Sequence, residues 1–447
     1  MIFPGIPLAE TSFTNKRRRK ERTPKKFLSK IFAISAPPRE ILGKNLILVL
    51  LLTVGSLSLS AQTLSGSLDT KLTMGFGAGD SPDFFYSAEE YANLRLKIPA
   101  GEYATVYSAF NLIAAAGYLH IPNQAAATAD AMGFGTYSLE DNYIAVMELE
   151  RLYVQISGDS LGLNAGLLRI PFGYGLVWCP MDFLNPRNPI EPDARFRGVL
   201  GVTASYFPAR FPDMKFLVFA AAPKDPLTPG GDGARAGLSW DSHWQRASIQ
   251  LLYCFESPAS YSAFDPVYPV DFTRTLYDEY PQGLHRAGFS FKADLELGFT
   301  AELLYTINPD KNTGINGLAA SAGVDYSFYG GKLYLLAEYL FSGSKSAEAK
   351  SAAMPLGHTG SHYLYAGGTW KWSDFSSITL SCLANLEDIS FIPLVFWQYE
   401  FIQSVVLSIR SYVPLDKDSF KAGKPGEFGP GNSGSNFYIT AGLKVKF

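Results

Sequence analysis

The amino-acid sequence predicts an all-β fold, a transmembrane antiparallel up-and-down β-barrel of about 18 strands, with about 16 as the alternative count. Apolar and polar side chains alternate with a period of two in many segments of the chain. The connections between these segments alternate between short and long. No apolar run long enough for a membrane-spanning helix follows residue 61. A closed barrel is the other structure that satisfies every backbone polar group inside a bilayer.

The final segment shows the alternation most clearly. Residues 435–447 read SNFYITAGLKVKF, in which apolar Phe437 and Ile439 alternate with polar Tyr438 and Thr440. Similar segments recur along the chain, with the length of about ten residues that a tilted membrane strand needs. The predicted strands begin near residues 63, 88, 102, 142, 160, 198, 213, 232, 244, 283, 296, 316, 331, 361, 375, 389, 401 and 435.

The lengths of the connections are an independent indication, because up-and-down barrels alternate short turns with long loops. The weakest strand is the run 389–397, since Pro393 cannot donate a hydrogen bond to a neighbouring strand. The predicted short turns are 99–101, 157–159, 208–212, 241–243, 293–296, 328–330 and 373–375. The predicted long loops include 118–141, 171–197, 256–282, 343–360 and 413–434.

The last strand also resembles the C-terminal signal of bacterial outer-membrane β-barrel proteins. Thr440 is polar, Gly442 follows two residues later, and Val445 and Phe447 supply the apolar and aromatic final positions. The resemblance implies recognition by the barrel-assembly machinery and residence in the lipid of the cell outer membrane. It also implies long extracellular loops and short periplasmic turns. The alternative is an amphipathic edge strand in a soluble sandwich, which the repetition of the pattern along the chain disfavours.

Residues 1–61 differ from the rest of the chain. A basic stretch at 16–30 is followed by an apolar run at 46–59 and then by small residues. This order predicts a cleaved secretory signal peptide, with residues 62–447 forming the barrel. Nucleic-acid binding by the basic stretch is the less favoured alternative. Cleavage would leave 27 Lys and Arg against 38 Asp and Glu, a net charge of −11.

The sequence contains no pattern typical of an enzyme, a cofactor site or a metal site. The five histidines form no H-E-x-x-H pair, and neither G-x-S-x-G nor a phosphate loop occurs. His285 and Ser290 lie an odd number of residues apart, so they should face opposite sides of the wall. The cysteines, Cys179, Cys254 and Cys382, are too few and of odd number for a disulfide framework. We therefore predict no catalysis, no cofactor and no bound metal.

The most distinctive loop is 171–197, which reads PFGYGLVWCPMDFLNPRNPIEPDARFR. Together with its flanking strands it resembles porin-like bacterial outer-membrane proteins, in which a Gly/Arg pattern ends a strand and a W-x-P-x-D-x-x-N-P loop follows. Five prolines restrict its backbone. One interpretation is a constriction element folded into the lumen with both signs of charge; the other is a rigid surface loop. Its charged candidates are Asp182, Arg187, Glu191, Asp193, Arg195 and Arg197.

The alternation also places charged side chains on the inner face of the wall, twelve basic and six acidic. A positive wall around water would raise the local concentration of anions. Alternatively, the charges pair across the wall and keep it wet. The basic positions are Lys71, Arg95, Lys97, Arg235, Arg246, Arg286, Lys292, Lys332, Lys371, Arg410, Lys444 and Lys446. The acidic positions are Asp69, Glu148, Glu150, Glu302, Asp325 and Glu338.

These observations predict a porin-like channel for passive diffusion of small hydrophilic solutes, with a preference for anions and a pore lined by Arg95, Arg246, Arg286 and Arg410. A barrel this wide leaves an aqueous lumen unless something fills it. A second hypothesis is a surface adhesin, receptor or structural outer-membrane protein whose long loops bind a partner. A third is a transporter of hydrophobic substrates, although a first strand beginning near Gln62 leaves no room for a plug. The oligomeric state stays open.

Overall fold

The described strands form a closed antiparallel β-barrel. The computed structural model describes residues 63–76, 84–117, 135–138, 143–185, 198–222, 233–258, 282–309, 313–343, 360–416 and 437–447. Within these ranges, 18 strands follow one another around the barrel. No described helix is long and apolar enough to cross a bilayer.

We number the barrel strands in chain order. They are β1 (Thr63–Phe76), β2 (Phe84–Pro99), β3 (Ala104–Gly117), β4 (Tyr143–Ser157), β5 (Leu161–Leu168), β6 (Val199–Tyr206), β7 (Met214–Ala221), β8 (Arg235–Trp244), β9 (Ala247–Glu256), β10 (Leu284–Asp294), β11 (Gly298–Ile307), β12 (Leu318–Phe328), β13 (Leu333–Ser342), β14 (His362–Ser373), β15 (Ser376–Asn385), β16 (Ser390–Ile402), β17 (Val405–Tyr412) and β18 (Phe437–Lys446). Two short strands, Gly135–Ser138 and Leu415–Asp416, pair with β4 and β16 outside this series. Two short 3₁₀ turns, Gly314–Gly317 and Tyr329–Gly331, complete the described elements.

Closure is made between the first and last strands. β1 pairs antiparallel with β2 on one side and with β18 on the other. Beyond β18, the backbone N–H of Gly66 donates to the carbonyl of Phe447 at 2.8 Å, and the N–H of Phe447 donates back at 3.1 Å. The ring therefore leaves no free sheet edge, and the predicted count of 18 strands is confirmed.

The two faces of the wall have opposite character, as the alternation predicts. Val218, Leu238 and Leu380 point outward and each exposes more than half of its surface. Asn111 and Ser290 point inward and are fully buried. Because successive side chains of a strand point to opposite faces, the outward set is largely apolar, and the inward set contains the buried polar side chains together with some apolar ones such as Leu217 and Phe219. This arrangement suits a wall with lipid outside and water inside.

The short turns lie at or beside their predicted positions, with one exception. Residues 241–243 belong to β8, and the chain turns instead at 245–246, where Gln245 has φ 42°. The polar sequence around Asp241 suggested a turn, but the Asp241 carboxylate faces inward and accepts a hydrogen bond from Gln250. The prediction that Arg246 lies on the inner wall is therefore wrong, because Arg246 stands in this turn with an exposed side chain.

Pro393 is accommodated within β16 at the end of its pairing with β17. That pairing ends at Leu394, opposite Tyr412, and the Pro393 carbonyl accepts from the N–H of Val413 at 3.2 Å. The carbonyl and the nitrogen of one residue point to the same side of a strand. The missing N–H of Pro393 therefore faces the same side, at the interruption between the pairing with β17 and the pairing with Leu415–Asp416.

Candidate functional site: the barrel lumen

Residues 169–185, which follow β5, fold into the barrel. We call them the lumen segment. The N–H of Gly173 donates to Oε1 of Gln250 on β9 at 2.6 Å. The next N–H, that of Tyr174, donates to Oγ of Ser290 on β10 at 3.0 Å. Both acceptors belong to the inward set of their strands, so the lumen segment lies against the inner wall.

Two buried carboxylates hold the middle of the lumen segment. Glu338 on β13 accepts three consecutive backbone N–H groups, from Leu176 at 3.1 Å, Val177 at 3.0 Å and Trp178 at 2.7 Å. Successive N–H groups converging on one anion form a nest, and such charge-assisted bonds are among the strong ones. Glu302 on β11 accepts from the N–H of Gly175 and, at 3.3 Å, from that of Met181. Leu176 and its neighbours are thus fixed to strands far along the sequence.

The local sequence permits this close approach at Gly173. Its backbone has φ +82°, a conformation that favours glycine, and a Cβ there would collide with the carboxylate of Glu302. A side chain at this position would therefore displace the lumen segment from its acceptor.

Apolar packing supports the lumen segment at both ends. Its base contributes Ile170, Phe172, Met181, Phe183 and Leu184 to a buried cluster with inward side chains of β7, β9 and β11. The Phe172 and Phe219 rings lie 5.1 Å apart. Its tip contributes Val177 and Trp178 to a second cluster, and Trp178 meets Tyr365 on β14 edge-on. The wall residues of the tip cluster are Leu340, Tyr363, Leu383 and Ile392. Through these two clusters the lumen segment packs against part of the inner wall between β5 and β16.

A buried ion cluster stands beside the base. The Glu256 carboxylate contacts the guanidinium groups of Arg235, at 3.0 Å, and of Arg286. Arg286 in turn lies 4.9 Å from the centre of the Phe183 ring in the lumen segment, a cation–π contact. Sequence reasoning missed Glu256 because it assigned this residue to the loop 256–282. Arg286 is thus paired and buried beneath the lumen segment.

The wall made by β2, β3 and β4 carries a polar network. Asn93 and Asn111, both buried, donate through Nδ2 to Glu150 at 2.8 Å and Glu148 at 3.2 Å. Arg95 donates through Nε to Oδ1 of Asn93 at 2.6 Å. Each carboxylate therefore has an amide partner, and this part of the inner face is charged and tightly hydrogen-bonded.

The candidate residues of the loop 171–197 divide into two groups. Asp182 belongs to the lumen segment, is fully buried, and lies 3.4 Å from Nη2 of Arg169. The other candidates, Arg187, Glu191, Asp193, Arg195 and Arg197, lie outside the described residues.

The four arginines predicted to line the pore differ in their surroundings. Arg95 and Arg410 face the lumen, and Arg410 stacks on the Phe396 ring at 4.9 Å. Arg286 is paired with Glu256, and Arg246 lies in a turn. The structure thus brings two of the four arginines to the open part of the inner wall.

Two of the carboxylates predicted to face the lumen also bind the lumen segment. Glu302 and Glu338 face inward as expected, but they accept backbone N–H groups of the lumen segment. The periodicity places these residues on the inner face and contains no information about which loop reaches them.

Burial, with the nearby charges of Asp241 and Glu302, raises the pKa of Tyr174 to about 12, so its hydroxyl adds no charge near neutral pH. No metal-binding group of His, Cys, Asp and Glu occurs among the described residues.

The residues of the proposed assembly signal take part in barrel closure. Oγ1 of Thr440 lies 2.9 Å from Oγ1 of Thr73 on β1. Gly442 stands opposite Lys71 and Ser408, where a Cβ would press on the serine hydroxyl. Val445 pairs with Leu68 on one side and Val405 on the other. The Phe447 ring, more than half exposed, lies over Gly66.

Comparison with known proteins gives the class of fold. No family of known proteins and no curated protein matches the sequence. Among solved structures, the barrel is similar to OccAB3 of Acinetobacter baumannii, with 8% identity, 87% of this chain and 100% of that chain covered, and a TM-score of 0.50. An engineered mutant of the Rh. blastica porin is 9% identical, covering 86% of this chain and 100% of that chain, with a TM-score of 0.42. The chain therefore has a porin-like β-barrel fold.

Proposed function

We propose that the protein is an outer-membrane channel through which small hydrophilic solutes diffuse passively. One observation carries the proposal: backbone N–H groups of the lumen segment are fixed to inward side chains of β9, β10, β11 and β13, on one side of the inner wall. Such an element narrows a wide barrel without requiring a separate plug. The pore would then lie between the lumen segment and the wall of β15–β18 and β1–β4.

The same geometry supports an anion preference. Lys71, Arg95, Arg410 and Lys444 belong to the inward set on the part of the wall away from the anchors of the lumen segment. Glu302 and Glu338 accept backbone N–H groups, so their negative charge is partly compensated before it reaches the pore. A basic wall around water lowers the barrier for anions relative to cations.

A transporter of hydrophobic substrates is less well supported. Such a protein needs an apolar path through the lumen. The two inward apolar clusters of the described structure are occupied by Phe172, Phe183 and Trp178 of the lumen segment. They serve as packing sites for the protein itself.

Conductance of the refolded protein in a planar lipid bilayer tests the proposal. We expect stepwise, nearly ohmic currents and, in a salt gradient, a reversal potential that favours the anion. Heat-modifiable protein that inserts and carries no current would contradict the channel function. That result would favour the hypothesis of an adhesin or receptor, whose loops 256–282, 343–360 and 413–434 lie almost entirely outside the described residues.

A further inference from the structure

One sector of the inner wall differs from the rest in its chemistry. In β14–β18 and β1, three adjacent rows of inward side chains run around the barrel, each row linked by direct strand pairing. Outward neighbours such as Leu380, Val395 and Ile409 are exposed on the other face, which fixes the inward phase. The middle row consists of Thr369, Thr379, Phe396, Arg410, Thr440 and Thr73. We call these three rows the hydroxyl sector.

Hydroxyl groups dominate the hydroxyl sector. The row nearer the short turns includes Ser377, Gln398 and Ser408, and the row nearer the long loops includes Ser381. No carboxylate occurs in any of the three rows, and the charged side chains are Lys371, Lys71 and Arg410. The wall of β2–β4 contrasts with this, because its asparagines donate directly to the carboxylates of Glu148 and Glu150. Ser, Thr and Gln can both donate and accept hydrogen bonds, whereas a carboxylate at neutral pH can only accept.

Aromatic rings stand among these hydroxyls. Phe396 lies between Thr379 and Arg410 in the middle row, with the guanidinium 4.9 Å from its ring centre. Tyr412 and Tyr438 stack with centroids 4.5 Å apart in the row nearer the long loops. Phe396 and Tyr412 are partly exposed. A ring with a hydroxyl on one side and a guanidinium on the other matches a ligand that has an apolar face and an equatorial ring of hydroxyl groups.

We propose that the hydroxyl sector is a binding site for saccharides, with Phe396 as the stacking platform and Thr379, Arg410 and Thr440 as hydrogen-bonding partners. The inference deepens the proposed channel function and rests on it, since the site would select neutral polyhydroxylated solutes in transit. The cation–π contact holds the Arg410 guanidinium beside the Phe396 ring, within the same row of inward side chains. Tip residue Trp178 and its neighbour Tyr365 lie at the margin of the same sector.

Saccharide block of the channel current measures this binding. The probe is maltotriose, and a polyethylene glycol of similar hydrodynamic size serves as the control solute. For the wild-type protein we expect maltotriose to block at a concentration at which the polyethylene glycol does not. Phe396→Leu keeps apolar volume but removes the ring, so the half-blocking concentration should rise about five- to tenfold. Tyr412→Leu should change it in the same direction.

The matched control lies on the opposite wall. Tyr153 on β4 also faces the lumen and stacks on Tyr107 at 5.0 Å, and Tyr153→Leu should leave the maltotriose block unchanged. Equal block by both solutes, or equal effects of Phe396→Leu and Tyr153→Leu, would overturn the proposal. Displacement of maltotriose by inorganic phosphate that disappears in Arg410→Gln, with Phe396→Leu silent, would also overturn it and indicate an anion site.

Failure of this inference is distinguishable from failure of the channel. A channel that conducts without selective block refutes the saccharide site alone. If the protein does not conduct, calorimetric titration of maltotriose into the refolded, heat-modifiable protein in detergent measures binding directly. The titration is repeated with Phe396→Leu, Tyr412→Leu and Tyr153→Leu. Absence of binding there refutes the saccharide site, and binding lost in Phe396→Leu but retained in Tyr153→Leu supports it.

Discussion

Single carboxylates fix the position of a whole segment in this barrel, and Glu338 is the clearest case. It accepts the N–H groups of three consecutive residues and exposes about 1% of its surface. Glu338→Ala leaves those donors without their acceptor, and we expect a loss of about 1–3 kcal/mol in the free energy of unfolding. Urea denaturation of the refolded protein, followed by heat-modifiability, measures it.

The control for Glu338 is Glu89 on β2, which pairs with Lys71 at 4.0 Å and is about one third exposed. Glu89→Ala should change the denaturation midpoint little, because exposed ion pairs contribute little. Equal destabilisation by the two variants would mean that the three N–H groups find other acceptors.

The ion cluster of Glu256, Arg235 and Arg286 leads to a second prediction about single residues. The ion pairs of Glu256 with Arg235 and Arg286 are more than nine-tenths buried. Glu256→Gln leaves two buried guanidinium groups without a counter-charge, which costs about 3–5 kcal/mol. The denaturant midpoint should fall accordingly. Asp294→Asn, which breaks the exposed pair with Lys292, is the matched control and should have almost no effect. Similar midpoints for both variants would show that water or another carboxylate compensates the arginines.

Among the elements, the strands follow from the sequence and the lumen segment follows only in part. Most strand starts lie within three residues of their predicted positions, because one apolar and one polar face leave a period of two in the chain. The starts Phe84 and Val405 lie four residues from their predicted positions, because the apolar and aromatic runs at 84–86 and 401–402 do not alternate. Asp241 was misassigned because a polar inward side chain looks like a turn residue.

The sequence does not decide whether the lumen segment lies in the lumen or on the surface, and the reason is physical. Its acceptors on Gln250, Ser290 and Glu338 lie 77 to 162 residues away in sequence. The alternation of apolar and polar residues within one segment contains no information about contacts with residues so far away in the sequence. The prolines and the charges of 171–197 indicate a rigid, specialised loop, but the position of its described part is set by tertiary contacts.

At the scale of this element, shortening the tip of the lumen segment tests its role as a constriction. Removal of residues 176–179 eliminates all three N–H donors to Glu338 and removes Trp178 from its cluster. We expect a larger single-channel conductance and noisier open-state current, because the narrowed region widens and loses its fixed position. Removal of residues 209–211 from a short turn is the control and should leave the conductance unchanged. An unaltered conductance in the tip variant would place the constriction elsewhere in the barrel.

For the whole molecule, the distribution of wall charge predicts ion selectivity. Arg95 and Arg410 face the lumen, so Arg95→Gln with Arg410→Gln should shift the reversal potential toward cations. The shift should grow as salt falls, because the screening length rises from about 10 Å at 0.1 M to about 30 Å at 0.01 M. Arg246→Gln, in the exposed turn, should shift it less. A cation-selective wild-type channel would show that carboxylates outweigh the basic wall.

Closure of the ring makes a prediction about assembly. Phe447 exchanges two backbone hydrogen bonds with Gly66 on β1, and its ring lies over that glycine. We expect deletion of Phe447 to lower the amount of heat-modifiable protein in the outer membrane, through a weaker junction and through loss of the proposed assembly signal. Phe447→Tyr retains an aromatic ring and should assemble normally. Wild-type levels of the deletion variant would contradict this role.

The seat of the lumen segment has a consequence for the order in which the chain can fold. The segment precedes β9–β13 in sequence, yet the N–H groups of residues 173–178 and of Met181 find their acceptors on those strands. Contacts of such long sequence separation form late, because the intervening chain must be ordered first. A chain arrested before β13 would hold Leu176–Trp178 without Glu338, and pairing of β18 with β1 would close the cylinder around whatever lies inside. Seating of the segment should therefore precede ring closure, and a slow refolding phase that depends on Glu338 would be its kinetic signature.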